Sequence, residues 1–228
     1  MIIGSGLVAS ALKPSLSGRE CCVYAAGVSN SGCIDPGEFS RERVRLMEAL
    51  ASHTETDRFL YFGTCSVFDP AAAQSGYVQH KLAMEALVRH HPRHLILRLP
   101  QVAGHTPNPH TLLNFFYTRI SRSEKFEIWE RSTRNVLDID DIATLVTHLV
   151  LRDGAAGETI NVANPNSMPV SDIVAAMETA VGKAAIFNTR ALGSSYSIDC
   201  ARTEAAIRQS GINLQGNYLE RVLKKYYG

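Results

Sequence analysis

Short apolar runs alternate with longer amphipathic stretches along most of the chain, the pattern of strands and helices in an α/β protein. Met1-Ile2-Ile3 leads into Gly4-Ser5-Gly6-Leu7-Val8-Ala9 and a helix that should stop near Pro14. Strands are predicted at Cys21 to Ala26, Arg58 to Phe62, His94 to Leu99, Phe126 to Trp129 and Glu158 to Val162, with a thin one near Tyr196-Ser197-Ile198. Helical periodicity covers Phe39 to Ser52, Gly76 to about His91, Thr111 to Ile120 and a stretch ending at Leu151 that Asp140 or Asp141 should start. Further helices are predicted over Val170 to Val181, with Ser171 as cap and Gly182 past the end, from about Ala201, and over Tyr218 to Tyr226. In the Phe39 to Ser52 helix, Val44, Leu46, Met47 and Leu50 form the apolar side, and Arg41, Glu42, Arg43 and Arg45 face largely outward. Gly104 to His110, rich in Pro, Asn and His, is loop.

At 228 residues the length suggests one domain, or one domain with a small appendage, and a net charge of +1 gives no reason to expect nucleic acid or another polyanion as partner. Hydrophobic residues at 45% and charged residues at 20% are ordinary for a soluble globular chain. The 5 cysteines, one adjacent pair among them, show no C-x-x-C spacing and read as reduced thiols of a cytosolic protein. The apolar first twelve residues lack the basic start of a signal peptide, and no segment approaches the ~18 apolar residues of a membrane span, so a cytoplasmic protein off the membrane is expected. His90, His91 and His94, and His105 with His110, lack a Cys or acid at ligand spacing, so they read as turn residues and no metal is expected. Neither a G-x-S-x-G elbow nor a P-loop is present. Cys65, at an apolar strand end with no partner to depress its pKa, reads as a buried thiol.

Two stretches carry candidate chemistry. Gly4-Ser5-Gly6-Leu7-Val8-Ala9 is a G-x-G-x-x-A turn, where glycines let backbone N–H groups approach a diphosphate at a helix N-terminus. The acid expected about 20 residues on, to bind an adenosine ribose, is missing; Ala25-Ala26-Gly27 stands there instead. Tyr77 and Lys81, four residues apart, share one helix face, and an ammonium beside a phenol should draw its pKa toward neutrality. Thr64, delivered by a strand end, would bind the same substrate oxygen, completing a trio suited to proton transfer at an alcohol or sugar carbon.

The order of these motifs, continued by Leu97-Arg98-Leu99-Pro100, by Arg134-Asn135-Val136-Leu137-Asp138-Ile139-Asp140-Asp141 and by Ile160-Asn161-Val162-Ala163, resembles the extended short-chain dehydrogenase/reductase family of NAD-dependent nucleotide-sugar epimerases, dehydratases and reductases. The resemblance implies a single α/β domain over 1–228: a Rossmann-like parallel sheet flanked by helices, with a small C-terminal substrate-binding region. Substrate elements would lie mainly at 104–134 and 163–228. The sheet would be reduced by about one β-α unit near the N-terminus. Tyr77 would be the acid/base, Lys81 would bind the nicotinamide ribose, and Thr64 would hold the substrate hydroxyl. Gly4, Ser5, Gly6, Leu7 and Val8 would line the diphosphate of NAD or NADP; Ala25, Ala26 and Gly27 would border its adenosine side and Pro100 its nicotinamide. Arg134 would grip the diphosphate of a nucleotide sugar, with Asn114 a further substrate ligand. Phe39 and Ser40 stand nearest to the active-site asparagine of the family. Cys65-Ser66 replace the Asp-Glu of its dehydratases, which favours an epimerase or reductase. A homodimer through the Phe39–Ser52 and Gly76–His91 helices is also implied. A non-catalytic nucleotide- or sugar-binding remnant, and a reductase of a small natural-product ketone, are the alternatives.

Overall fold

The computed structural model describes residues 1–53, 57–152 and 154–228. In chain order its elements are β1 (Ile2–Ile3), α1 (Leu7–Leu16), β2 (Cys21–Tyr24), α2 (Pro36–Ser52), β3 (Arg58–Thr64), a 3-10 turn (Cys65–Phe68), α3 (Gly76–Val88) and β4 (His94–Leu99). There follow β5 (Gln101–Ala103), α4 (Leu112–Ser121), β6 (Phe126–Trp129), β7 (Thr133–Arg134), β8 (Val136–Asp138), α5 (Ile139–Leu151) and β9 (Glu158–Asn161). The chain closes with β10 (Met168–Pro169), α6 (Val170–Val181), β11 (Phe187–Arg190), α7 (Ala201–Ser210) and α8 (Tyr218–Tyr227).

The central sheet has 5 strands in the order β1-β2-β3-β4-β9, all parallel. Alternate residues of its strands enter two cores. Val23, Leu60, Leu95 and Leu97 pack on the α1 and α5 side with Leu12, Leu145 and Leu149, while Tyr24, Phe59, Tyr61 and Ile96 pack under α2 and α3 with Leu46 and Met84. The result is a three-layer α/β sandwich. Its strand order runs sequentially from β1 to β9, whereas a doubly wound sheet carries two more strands beyond its first. Among the described residues both of those strands are absent from the β1 side, which is more than the one β-α unit expected to be missing.

Several local expectations change. The first helix runs on through Pro14 to Leu16, because Leu12 and Leu16 are both fully buried on the sheet. The expected strand at Tyr196-Ser197-Ile198 does not form; β11 forms earlier and pairs parallel with β6. Asp138, rather than Asp140 or Asp141, caps α5 through the Asp140 N–H, and Ser171 gives way to Pro169 as the residue before α6. Gly182 ends α6 in the left-handed conformation. His91 is buried against the Phe59 ring rather than solvated. No helix among the described residues is long and apolar enough to cross a membrane.

Candidate active site

The carboxyl ends of β1 to β4 open onto one cavity of about 1200 Å³, lined by residues between Gly4 and Thr111. The glycine turn forms its floor at the β1–α1 junction. Gly4 has φ +126°, and a Cβ there would run into the Ala25 backbone. Gly6 is the residue before α1 and supplies no side-chain cap, so the first-turn N–H groups of Leu7 and Val8 are left open to an anion. Ser5, Ala25, Ala26, Gly27 and Pro100 line the same cavity. These features fit a dinucleotide diphosphate. The adenosine end is poorer. Asp35 and Glu38 also line the cavity, but Asp35 caps α2 through the Gly37 N–H and Glu38 pairs with Arg41.

Thr64 ends β3 and caps the following 3-10 turn, accepting from the Ser66 N–H at 3.1 Å. Ser75 caps α3 through the Val78 N–H and so aims the first turn, with Tyr77, at Thr64. Tyr77 and Thr64 are 7% and 6% exposed, and the Thr64 side chain neighbours the Tyr77 phenol. Both line the cavity, as does Lys81.

Lys81 does not serve Tyr77 as expected. Its Nζ donates to Glu42 Oε1 at 3.1 Å, to the Tyr61 hydroxyl at 3.2 Å and to the Phe62 carbonyl at 3.4 Å. Burial lowers the Lys81 pKa, an effect the Glu42 carboxylate opposes. Tyr77 is pushed up to about 12 rather than drawn toward neutrality: burial is the main cause, the neighbouring Thr64 hydroxyl acts against it, and the Glu42 charge adds to it.

Glu42, expected on the outer face of its helix, is 2% exposed. It accepts from the Val28 N–H at 2.7 Å and the Tyr61 hydroxyl at 2.8 Å, and its Oε2 lies 2.9 Å from His80 Nε2. Burial raises its pKa, but His80, Lys81, Val28 and Tyr61 outweigh burial and hold it at about 2. Phe39 stacks on the His80 ring with centroids 4.5 Å apart. Glu42, Leu46 and Ala49 are the buried residues of α2, so the carboxylate sits in the buried stripe of the helix, at i, i+4 and i+7. That spacing was the available signal. Val44 and Met47, expected inside, are 51% and 49% exposed.

The two expected substrate ligands are both engaged within the chain. Arg134 Nη1 donates to the Thr133 carbonyl at 2.8 Å and lies 3.4 Å from Asp69 Oδ2. Asp69, 4% exposed, also accepts from Ser194 Oγ at 2.6 Å and the Ala71 N–H at 3.0 Å. Asn114 donates to the Thr106 and Asn108 carbonyls and accepts from the Tyr227 hydroxyl, so its amide braces the loop at 104–110. Neither residue lines the cavity. Cys65 is buried, which raises its thiol pKa. Among the described residues no group of three or more metal-ligating side chains converges.

Solved structures with the same fold include UDP-glucuronic acid 4-epimerase from Bacillus cereus in complex with UDP-glucuronic acid and NAD, at 20% identity over 98% of this chain and 79% of that one, with TM-score 0.70. The dTDP-glucose 4,6-dehydratase of Bacillus anthracis, in complex with NAD, matches at 16% identity over 97% of this chain and 78% of its own, with TM-score 0.68. RMD from Pseudomonas aeruginosa, complexed with NADPH, gives 16%, 97%, 84% and 0.67 in the same order. No curated protein matches the sequence significantly. Residues 20–163, well over half of the chain, match the family model of the NAD dependent epimerase/dehydratase family. The chain belongs to the NAD dependent epimerase/dehydratase family.

Proposed function

We propose that the protein is an NAD(P)-dependent epimerase or keto-reductase acting on a nucleotide-linked sugar through Thr64, Tyr77 and Lys81. The observation that carries this reading is the convergence of Tyr77 and Thr64 on the cavity whose other end is the open N-terminus of α1. A nicotinamide dinucleotide bound there supplies hydride exchange at the carbon bearing the reacting oxygen. Thr64 and Tyr77 hold that oxygen and move its proton. The N–H groups of Leu7 and Val8 take the diphosphate, Ala25, Ala26 and Gly27 border the adenosine side, and Pro100 faces the nicotinamide. Lys81 reaches the nicotinamide ribose by giving up its longest bond, the one to Phe62. The same reading includes a homodimer through α2 and α3.

Arg134 would bind the substrate diphosphate with a forked guanidinium, but Asp69 already neutralises it and would have to be displaced. That ion pair favours a small uncharged ketone as the second substrate reading. Fluorescence titration with NADH and NADPH tests the cofactor half. Saturable binding in the micromolar range is expected, and no binding of either at millimolar levels would leave a non-catalytic remnant. A parallel titration with UDP separates the two substrates: binding favours the nucleotide sugar, and its absence beside dinucleotide binding favours the ketone.

A further inference from the structure

We infer that Glu42 withholds Lys81 from the proton-transfer step, so that Tyr77 works as a proton donor and the site is built for carbonyl reduction rather than epimerisation. The inference rests on the nicotinamide-dependent reading above and narrows it. An ammonium has three N–H donors, and Glu42, Tyr61 and Phe62 take all three. None of the three points to the Tyr77 oxygen, and a carboxylate 3.1 Å away cancels most of the ammonium's field whichever donor is free. Lys81 and Glu42 are both buried, so water screens this pair little. The pair sits directly beneath the cavity loop: a Cβ at Gly27 would stand 2.5 Å from Lys81 Nζ and 2.7 Å from Glu42 Oε1, so a side chain there would have to displace both ends.

The titratable surroundings of Tyr77 agree. Glu42 faces it from α2, the Tyr61 phenol from β3 and the Cys65 thiol from the 3-10 turn. On α3 itself, His80 is turned to Glu42 and Lys81 is spent as described. No positive charge in this set is free to hold a phenolate. Epimerisation begins by taking a proton from a substrate hydroxyl, which requires phenolate. Reduction requires the phenol: the carbonyl carbon gains a hydride from a dihydronicotinamide, which is thereby oxidised, and the oxygen gains the Tyr77 proton. Solvent then returns a proton to Tyr77.

The test is a pH titration of the protein labelled with 13C at the tyrosine ζ carbon, with Tyr77 assigned by loss of its signal in Tyr77→Phe. In wild type Tyr77 should stay un-ionised to about pH 10 or beyond, the range of an unassisted phenol. In Glu42→Gln its ionisation should move down by about one pH unit or more, because the carboxylate charge that raises it is gone. Ionisation of wild-type Tyr77 near neutrality, or no shift in Glu42→Gln, would overturn the inference. Should Glu42→Gln fail to fold, Tyr61→Phe removes one acceptor from Lys81 and keeps the carboxylate. Its Tyr77 should titrate as in wild type, and a fall of a unit or more would count against Glu42 as the controlling charge. NADH titration of the same samples keeps the two readings apart. Binding together with a neutral-range Tyr77 overturns this inference alone, and no binding overturns both.

Discussion

At Glu42, four partners converge on one carboxylate: the Val28 N–H, the Tyr61 hydroxyl, His80 and Lys81. Its pKa falls from an ordinary 4.5 to about 2 on folding. A depressed carboxylate pKa means that the unfolded chain takes up the proton first. The stabilisation is therefore complete above about pH 4.5 and lost as pH falls through 2, with about 3 kcal/mol at stake by linkage. Thermal melts of wild type should drop further across that window than those of Glu42→Gln, which is less stable at neutral pH. A parallel decline in both proteins would refute the assignment. The carboxylate's place was readable in the spacing of Glu42, Leu46 and Ala49. Its effect was not, because Lys81 lies 39 residues away along the chain and only the α2–α3 contact brings the two together.

Elements were legible where a continuous apolar run or an unbroken apolar period marks them: β4, β6 and α6 stand at their predicted limits. Those that failed were decided by packing. Pro14 removes one N–H donor from α1, a cost of up to about 3 kcal/mol in a helix interior. Burial of Leu12 and Leu16, at roughly 1.5 to 3 kcal/mol each, offsets it. All four residues of β11 are exposed, so no alternation marks it; pairing with β6 alone makes it a strand. Gly27, in the turn after β2, tests the coupling between strand end and helix. Gly27→Ala would press a methyl onto the Lys81–Glu42 pair and should cost about 1 to 3 kcal/mol in chemical denaturation. A loss below about 0.5 kcal/mol, the scale of ordinary surface changes, would mean that the pair moves aside freely.

For the molecule as a whole, Thr64, Tyr77 and Lys81 line one cavity, while among the described residues the sheet stops at β1. The two cations expected to hold ligands, Lys81 and Arg134, are each met by a buried carboxylate of the chain itself, Glu42 and Asp69. Helix α8 closes the other side. Tyr218 donates to Asp141, Lys225 pairs with Asp138, and the Tyr227 hydroxyl reaches Asn114 beside the loop at 104–110. On α2, the exposed Val44 and Met47 leave apolar surface for the proposed homodimer. Sedimentation at micromolar concentration should give twice the chain mass, and Met47→Glu should shift it to one. A wild-type monomer would end that part of the proposal.

The sequence by itself determined the α/β class, the glycine turn, the position of Thr64 at a strand end and the helix carrying Tyr77, because each depends on residues near one another in the chain. It also determined that the ribose acid is missing. The tertiary structure decided what those groups can do. The electrostatics of Tyr77, Lys81 and Arg134 depend on which buried charge lies within a few ångströms, and those neighbours come from α2 and from the turn after β3. A four-residue spacing on one helix placed Tyr77 and Lys81 on one face. Packing against a second helix turned the ammonium to Glu42, and with it the proton that Tyr77 keeps.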